Sequence, residues 1–327
     1  MNLVAVTRLW NEDDIVEAFV RHHAPQVDRF VLLDNGSSDR TLDILRALAA
    51  EGFPLTVFQT RSVSFDEASV NTWLYHHAAS LGAGWVLYLD ADEFVDPSAE
   101  RRGGTWLRDT LGAMPAGVPA VQLRLVHYID SAEDDAADLL VPRRMRWRMR
   151  EPSDTPKVFV RGGLGADVTI EPGNHAANLS GARLPDVPVP LSLAHYPRRS
   201  GWHDVGKSGI GWLKILAAGQ GQEVLLRSGH YRAPFETVRD RPAALLDNPA
   251  YRHLPVDRAT MVDQPLAYAG GPLRHTVAED PAMRALTLAL RYAEALARQH
   301  GRLVDAVPAA RQLVAEENAE REMMFEV

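Results

Sequence analysis

The segment Asp90-Ala91-Asp92-Glu93 places three carboxylates within four residues, directly after the apolar run Trp85-Val86-Leu87-Tyr88-Leu89. Carboxylates crowded at the end of a buried strand repel one another and are costly to desolvate. A hard divalent cation, Mg²⁺ or Mn²⁺, relieves that repulsion and can bridge the two phosphates of a nucleoside diphosphate. We therefore interpret Asp90 and Asp92 as metal ligands. An Asp-x-Asp also occurs in solvated loops, and the preceding apolar run is what favours a metal site here.

Two histidines in the second half of the chain are candidates to complete this site. His195 ends an apolar run and precedes Tyr196-Pro197, so we expect it to be a third metal ligand. His175 follows the turn residues Gly173-Asn174, and an imidazole that titrates near neutral pH can remove a proton from an acceptor hydroxyl. The alternative for each is a histidine that packs and hydrogen-bonds locally.

A second polar cluster, Asp34-Asn35-Gly36-Ser37-Ser38-Asp39, follows another apolar run. These residue types favour a tight turn and a helix cap without any ligand. The functional interpretation adds a contact with the base or ribose of a nucleotide. We expect Ser38 or Asp39 to cap the following helix and Asp34 to contact the nucleotide.

The elements that position these residues alternate regularly in the first third of the chain. Apolar runs at residues 3–7, 29–33, 55–58 and 85–89 predict strands, and residues 12–23, 41–50 and 66–80 have helical periodicity. Repeated βα units predict an α/β fold with a doubly wound, mostly parallel sheet, whose ligands bind beyond the carboxyl ends of the strands. Polar residues follow each predicted strand: Arg8, Asn11 and Glu12, then Asp34 to Asp39, then Arg61, then Asp90 to Glu93.

The pattern changes after about residue 115. Four arginines, Arg144, Arg146, Arg148 and Arg150, alternate with apolar residues at the strand period of two. This face could bind a diphosphate, an anionic acceptor or a nucleic acid, or it could pair with the acidic loop at residues 130–138. We expect a βα part at residues 1–115, a second part of the same domain at 116–235, and a mainly helical lobe at 236–327, with long helices at 283–299 and 308–320.

Composition narrows the functional classes. The formal charge of −8 argues against a general nucleic-acid binder, which needs a basic surface. The absence of cysteine leaves only oxygen and imidazole ligands for a metal. Neither a signal peptide nor a run of 18 apolar residues is present, so we expect a cytoplasmic protein without a transmembrane segment. No Walker or G-x-G-x-x-G motif supports an ATPase or a dinucleotide oxidoreductase.

Three blocks together resemble family 2 glycosyltransferases: Thr7-Arg8-Leu9-Trp10-Asn11-Glu12, Asp34-Asn35-Gly36-Ser37-Ser38-Asp39-Arg40-Thr41, and Leu89-Asp90-Ala91-Asp92-Glu93-Phe94. The likeness continues weakly in Pro156-Lys157-Val158, in Gly173-Asn174-His175, and in the segment from His195 to Ser200 followed by Lys207. This resemblance implies a GT-A type fold and a nucleoside-diphosphate sugar donor. It also implies that Asn11, Glu12, Asp34 and Asp39 line the nucleoside pocket, while Asp90 and Asp92 handle the ribose and the metal.

The resemblance assigns nucleotide-sugar binding to residues 1–115, and acceptor binding and completion of the metal site to residues 116–235. With it, these features predict a metal-dependent sugar transfer to an acceptor hydroxyl of a glycan, a lipid, a protein or a small molecule, and the resemblance alone implies inversion at the sugar. We expect Arg199 and Lys207 to neutralise the departing diphosphate, with Arg8, Arg61 and Lys157 as further donor contacts. The Glu-Asp pair from which many of these enzymes draw their base is not found at the corresponding place, which leaves His175 or an unassigned carboxylate. A nucleotidyltransferase and a non-catalytic nucleotide-sugar-binding module are the alternatives, and a homo-oligomer is possible.

Overall fold

A computed structural model describes residues 1–60, 62–63, 66–97, 106–219 and 229–319. The strands in these ranges are β1 (Leu3–Leu9), β2 (Arg29–Asp34), β3 (Leu55–Gln59), β4 (Trp85–Tyr88), β5 (Glu93–Pro97), β6 (Ala120–His127), β7 (Trp147–Met149), β8 (Pro156–Arg161), β9 (Val168–Ile170), β10 (Ala177–Leu179), β11 (Ala182–Arg183), β12 (Asp186–His195) and β13 (Met261–Asp263). The helices are α1 (Val16–His23), α2 (Thr41–Ala50), α3 (Glu67–Ser80), α4 (Trp106–Gly112), α5 (Val141–Arg144), α6 (Gly201–Asp204), α7 (Ile210–Ala217), α8 (Gly229–Asp240), α9 (Ala244–Asp247), α10 (Pro249–Arg252), α11 (Pro281–Ala306) and α12 (Pro308–Ala319). A 3₁₀ turn (Pro172–Asn174) and a π-helical turn (Val205–Gly209) complete the set.

An eight-stranded sheet lies at the centre, with the strand order β3-β2-β1-β4-β8-β6-β12-β5. The first four strands are parallel, and β6 pairs in parallel with β12. β8 is antiparallel to both of its neighbours, and β5 is antiparallel to β12. The predicted α/β class with a mostly parallel sheet is confirmed. Strands from residues 1–115 and 116–235 share this one sheet, whereas the domain boundaries themselves stay predictions.

The central strands are apolar because both of their faces are covered. Along β1, Leu3 and Ala5 pack into a core beneath α1 and α2. Val4 and Val6 point the other way, into a second core that contains residues of α3. Strands buried on both faces read as continuous hydrophobic runs rather than as alternating ones. Polar side chains are therefore excluded from the middle of these strands, and those of the candidate site follow the carboxyl ends.

Helix α1 holds the strand that follows the acidic segment. All its residues are buried. His22 Nε2 lies 3.0 Å from the carbonyl oxygen of Val95, and Val95 N donates to His23 Nε2 at 3.1 Å. Because His23 Nε2 accepts, the single N–H of that ring is on Nδ1, which lies 2.9 Å from Phe19 O. This histidine pair therefore fixes β5, and with it the turn that carries Asp90 and Asp92.

The C-terminal part of the chain packs back onto the first loops. The Glu17 carboxylate of α1 accepts hydrogen bonds from the backbone N–H groups of Arg274, His275 and Thr276. The predicted helices of this part are present as α11 and α12, and α11 extends further than the periodicity indicated. Within the described ranges, no helix combines the length and the apolar character needed to cross a bilayer.

The prediction of a strand across residues 144–150 is only partly right. Residues Val141–Arg144 form the short helix α5, because Pro142 occupies its first turn, and only Trp147–Met149 is a strand. The arginines bind scattered partners: Arg144 the carbonyl of Asp138, Arg146 the Asp263 carboxylate, Arg148 the Gln264 side chain and Arg150 the carbonyl of Arg258. Only Arg144 of these four therefore binds the acidic loop in these contacts.

The buried histidine pair predicts a loss of stability in acid. Burial lowers the pKa of His22 to about 4, from an ordinary value of 6.5. Between these values the unfolded chain binds a proton that the native ring does not, so stability falls as the pH drops from about 6.5 to about 4. We expect urea unfolding at pH 8 and pH 5 to show a larger loss for wild type than for His22→Gln.

The exposed His300→Gln variant is the matched control for this comparison and should lose as much stability as wild type. An equal loss in the wild-type protein and in His22→Gln would exclude His22 as a source of the acid sensitivity.

Candidate active site

The acidic segment after β4 surrounds a buried lysine. Lys157 Nζ lies 2.6 Å from Asp90 Oδ2 and 3.1 Å from Glu93 Oε1, and only 4% of its side chain is exposed. Lys157 stands at the start of β8, which is antiparallel to β4, so it lies beside the end of β4. The backbone N–H of Asp90 also donates to Glu93 Oε2 at 3.0 Å. The repulsion between these carboxylates is thus partly relieved by the protein itself.

The charges of this group follow from its burial. Burial alone would lower the pKa of Lys157, but the carboxylates of Asp90 and Glu93 outweigh it and raise that pKa above its ordinary value. Burial raises the pKa of Glu93 despite the neighbouring ammonium. Lys157 is therefore a fixed cation at neutral pH. The charged form of Glu93, in contrast, is disfavoured by its burial.

Asp92 has a cation of its own. Lys207, in the π-helical turn, forms an ion pair with Asp92 Oδ2. His195 Nε2 lies 3.7 Å from the same oxygen, and only 5% of the Asp92 side chain is exposed. Although burial opposes it, the attraction of Lys207 and His195 holds the pKa of Asp92 well below its ordinary range. The structure thus brings together three residues that the sequence analysis selected from separate segments.

His127 is a member of this cluster that the sequence analysis missed. Its Nδ1 atom lies 2.9 Å from His195 Nδ1, because the two residues are directly paired across β6 and β12. Burial and the neighbouring ring of His195 lower the pKa of His127 to about 4. A neutral His127 fixes the orientation of the His195 ring and leaves Nε2 of His195 directed at Asp92. Its only sequence signal was a histidine at the end of an apolar run.

The loop after β1 is held by an arginine from the second half of the chain. Arg199 Nη2 donates to Glu12 Oε2 at 2.6 Å, and Arg199 Nε donates to Asp14 Oδ2 at 2.7 Å. The Arg199 side chain is 1% exposed. Asn11 Oδ1 accepts from Ser38 N at 2.8 Å, and its contact with a nucleoside stays a prediction. Arg199 and Glu12 therefore neutralise one another at one side of the sheet edge that the carboxyl ends of β1, β2 and β4 form. This edge is called the crevice.

The two aspartates of the second cluster bind their own surroundings. Asp34 accepts from Ser37 N at 3.1 Å and from Gln59 Nε2 at 2.9 Å. Asp39 Oδ1 accepts from Thr41 N at 2.9 Å at the start of α2, but the N-cap residue is Arg40, so the expectation that Ser38 or Asp39 caps this helix is wrong. Asp39 also accepts from Arg284 Nη2 of α11 at 3.0 Å. A tight turn before α2 accounts for the contacts of Asp34 with Ser37, and a nucleoside contact stays a prediction.

Arg8 connects the strand ends on the other side of the crevice. Its Nη2 atom lies 2.6 Å from Glu67 Oε1 and 3.5 Å from Asp90 Oδ1. Glu67, the first residue of α3, also accepts from Gly173 N at 2.7 Å. Arg8 therefore links β1 to the acidic segment and to the turn that precedes His175. The predicted contact Arg61 lies outside the residues that the structure describes.

His175 has the protonation geometry that a base requires. Its Nδ1 atom lies 2.7 Å from the carbonyl oxygen of Pro156, the residue before Lys157. A carbonyl only accepts, so Nδ1 carries the proton and the neutral ring keeps a lone pair on Nε2. Gly173 has a φ of +75° and its missing side chain makes room for the ring, since a Cβ there would overlap His175. The ring is thus oriented from both sides.

The donor atoms near Asp92 fit a divalent cation in part. Two ligands of one small cation lie about 3 to 4 Å apart, and Asp92 Oδ2 and His195 Nε2 meet that spacing. The carboxylate of Asp90 is engaged by Lys157 and Arg8, and Asp92 Oδ2 is itself paired with Lys207. Within the part of the chain that the structure describes, no three His, Asp or Glu side chains are grouped so that they could hold an ion by themselves. Phosphate oxygens and water would therefore have to supply the remaining ligands.

Residues 6–103 match the family model described as Glycosyl transferase family 2. The resemblance expected from the sequence is thereby confirmed for this segment, which contains the loop after β1, the Asp34 turn and the acidic segment. The match supports a glycosyltransferase with the predicted α/β fold. Among curated proteins of known function, no sequence matches this chain.

Several solved glycosyltransferases are similar in structure at low identity. TarS residues 1–349 from S. aureus are 13% identical, with 76% of this chain and 75% of that chain covered at a TM-score of 0.37. The mannosyltransferase PcManGT from Pyrobaculum calidifontis, in complex with GDP-Man and Mn²⁺, is 15% identical, with coverages of 97% and 79% and a TM-score of 0.34. Glucosyl-3-phosphoglycerate synthase from Mycobacterium tuberculosis is 17% identical, with coverages of 38% and 44% and a TM-score of 0.26.

The buried ammonium of Lys157 predicts a large effect on stability. Lys157→Met leaves Asp90 and Glu93 without their shared cation, and removal of one partner of a buried pair costs about 3–5 kcal/mol. We expect this loss in the free energy of unfolding measured in urea. The double variant Lys157→Met/Glu93→Gln should recover part of it, because one uncompensated carboxylate is gone. Equal stability of the single variant and wild type would contradict the assigned pairing.

Proposed function

We propose that this protein is a metal-dependent glycosyltransferase that moves a sugar from a nucleoside-diphosphate donor to an acceptor hydroxyl, with inversion at the sugar. The observation that carries the proposal is the group at the carboxyl end of β4, where Asp92 pairs with Lys207 and lies 3.7 Å from His195. This group lies at the strand ends where doubly wound sheets bind ligands. The family match over residues 6–103 supports the reaction class.

The proposed roles follow from the contacts of each side chain. Asp92 and His195 would hold Mn²⁺ or Mg²⁺, which when bound polarises the phosphate oxygens of the donor. Lys207 has 30% of its side chain exposed, so it can turn from Asp92 towards an incoming diphosphate. Arg199 stays buried against Glu12 and Asp14, which makes it a positioning residue for this wall. Lys157 keeps Asp90 charged and in place.

The proton from the acceptor hydroxyl is assigned to His175. Its Nδ1–H is engaged by the carbonyl of Pro156, so Nε2 is the atom that can accept a proton. The turn that carries it is tied to Arg8 through Glu67, and Arg8 lies 3.5 Å from Asp90. The base and the acidic segment therefore belong to one connected group of side chains.

Calorimetric titration of UDP, GDP, CDP and dTDP into the protein tests the donor site. With Mn²⁺ present, we expect one of them to bind, and EDTA and Asp92→Ala should each weaken that binding at least about 10-fold, since the metal links carboxylate and diphosphate. Asp43→Ala, at an exposed aspartate paired with Arg46, is the matched control and should bind like wild type. Absence of binding in all four titrations would exclude a nucleoside-diphosphate site.

His175→Ala tests the proposed base. Removal of a general base lowers turnover about 10² to 10⁴-fold, so we expect slower release of the nucleoside diphosphate from the matching nucleotide sugar, with donor binding unchanged. His76→Ala is the control, because the contacts of that ring among the described residues are with the carbonyl of Val168 and the ring of Tyr75. Equal turnover of wild type and His175→Ala would assign the base to another residue.

A further inference from the structure

The sequence contains only three lysines, among 35 lysine and arginine residues. All three lie at the same edge of the sheet. Lys157 pairs with Asp90 and Glu93, and Lys207 pairs with Asp92. The third, Lys214, has no carboxylate or hydrogen-bond partner among the described residues. A lysine ammonium is a compact point charge with three donors, whereas arginine is a planar fork. Lys214 therefore presents donors that the protein itself leaves unused.

Lys214 is held in place by an aromatic ring. Its Nζ lies 3.7 Å from the centroid of the Trp10 ring, within the range of a cation–π contact. Trp10 follows β1, and Tyr292 of α11 packs edge-on against it at 6.4 Å. The charges that act on Lys214 are those of Asp34 at the end of β2 and Arg8 near the end of β1, and burial lowers the pKa of Lys214 to about 7. Asp34 is already engaged by its own turn and by Gln59.

The spacing of Lys207 and Lys214 matches the spacing of the strand ends. Seven residues of helix correspond to about 10 Å at a rise of 1.5 Å per residue. β2 and β4 flank β1 in the sheet, so their ends also lie about 10 Å apart. Lys207 reaches Asp92, just after the end of β4. Lys214 contacts Trp10, the residue after Leu9, and Leu9 is paired with Asp34 at the end of β2. The helical segment thus crosses the strand ends and places one ammonium at each side of the crevice.

We propose that Lys214 binds the nucleoside end of the donor, donating a hydrogen bond from Nζ to an oxygen of the base or the ribose, while Lys207 serves the diphosphate end. This inference rests on the proposed function, because it takes the crevice to be the donor site. It assigns the two lysines of one helical segment to opposite ends of the same ligand. The group that Lys214 would recognise is a neutral oxygen acceptor of the ligand that lies beside Trp10.

Calorimetry with Mn²⁺ at one fixed pH separates the two roles. UDP, GDP, CDP and dTDP are each compared with UMP, GMP, CMP and dTMP. Lys214→Met should weaken the mono- and the diphosphate of the preferred base by the same factor, about 10-fold for one lost charge-assisted hydrogen bond. Lys207→Met should weaken the diphosphate more than the monophosphate. Lys214→Gln keeps an N–H donor and should recover part of the affinity, with a Tm like that of Lys214→Met.

The outcomes separate this inference from the function on which it rests. Wild-type affinity of Lys214→Met for both nucleotides, with wild type binding them, overturns the role of Lys214 and leaves the donor site intact. A loss confined to the diphosphate also overturns it, because Lys214 would then act at the phosphates. A lowered Tm with unchanged binding reduces Lys214 to a structural partner of Trp10. If wild type binds none of the nucleotides, the donor site and this inference both fail.

Discussion

The arrangement of the crevice depends on how the carboxylates at the end of β4 are neutralised. The charged residues that follow β4 in the sequence, Asp90, Asp92 and Glu93, are all acidic, and their cations therefore have to come from other elements. The antiparallel strand β8 starts where β4 ends, and therefore it brings Lys157 to this edge. The same strand start supplies the Pro156 carbonyl that orients His175. One reversed strand in a parallel sheet thus positions a buried cation and a histidine together.

The second half of the chain brings further basic side chains to the same edge through β12 and the helical segment that follows it. β12 runs parallel to β6 and ends at His195, beside the acidic segment. The chain then continues through Arg199 into the helical segment that carries Lys207 and Lys214, so that basic side chains face the strand ends in succession. The acidic groups come from the first hundred residues and most cations come later. The charge balance of the crevice is therefore a property of the whole fold and of no single segment.

The sequence predicts what is local. The βα alternation, the strand ends and the acidic segment follow from apolar runs and polar clusters, and the tight turn at Asp34 follows from residue type. The partners of these groups are separated from them by 67 residues for Lys157 and 115 for Lys207, and no periodicity encodes such pairings. An apolar run also does not reveal strand direction, which is why the antiparallel β8 could not be foreseen. His127 was missed for the same reason, since its partner lies across the sheet.

Helix α11 closes the loop after β1, and this has a consequence for biosynthesis. Arg284 donates to Asn11 O, Asp13 and Asp39, groups separated from it by 245 to 273 residues. At ~5–20 residues per second, the ribosome makes the segments that carry Asp13 and Asp39 on the order of 10 to 50 seconds before it makes Arg284. The nascent chain can therefore form its first parallel strands while Asp13 and Asp39 still lack this cation. Closure of the loop after β1 is therefore a late step in the biosynthesis of each molecule.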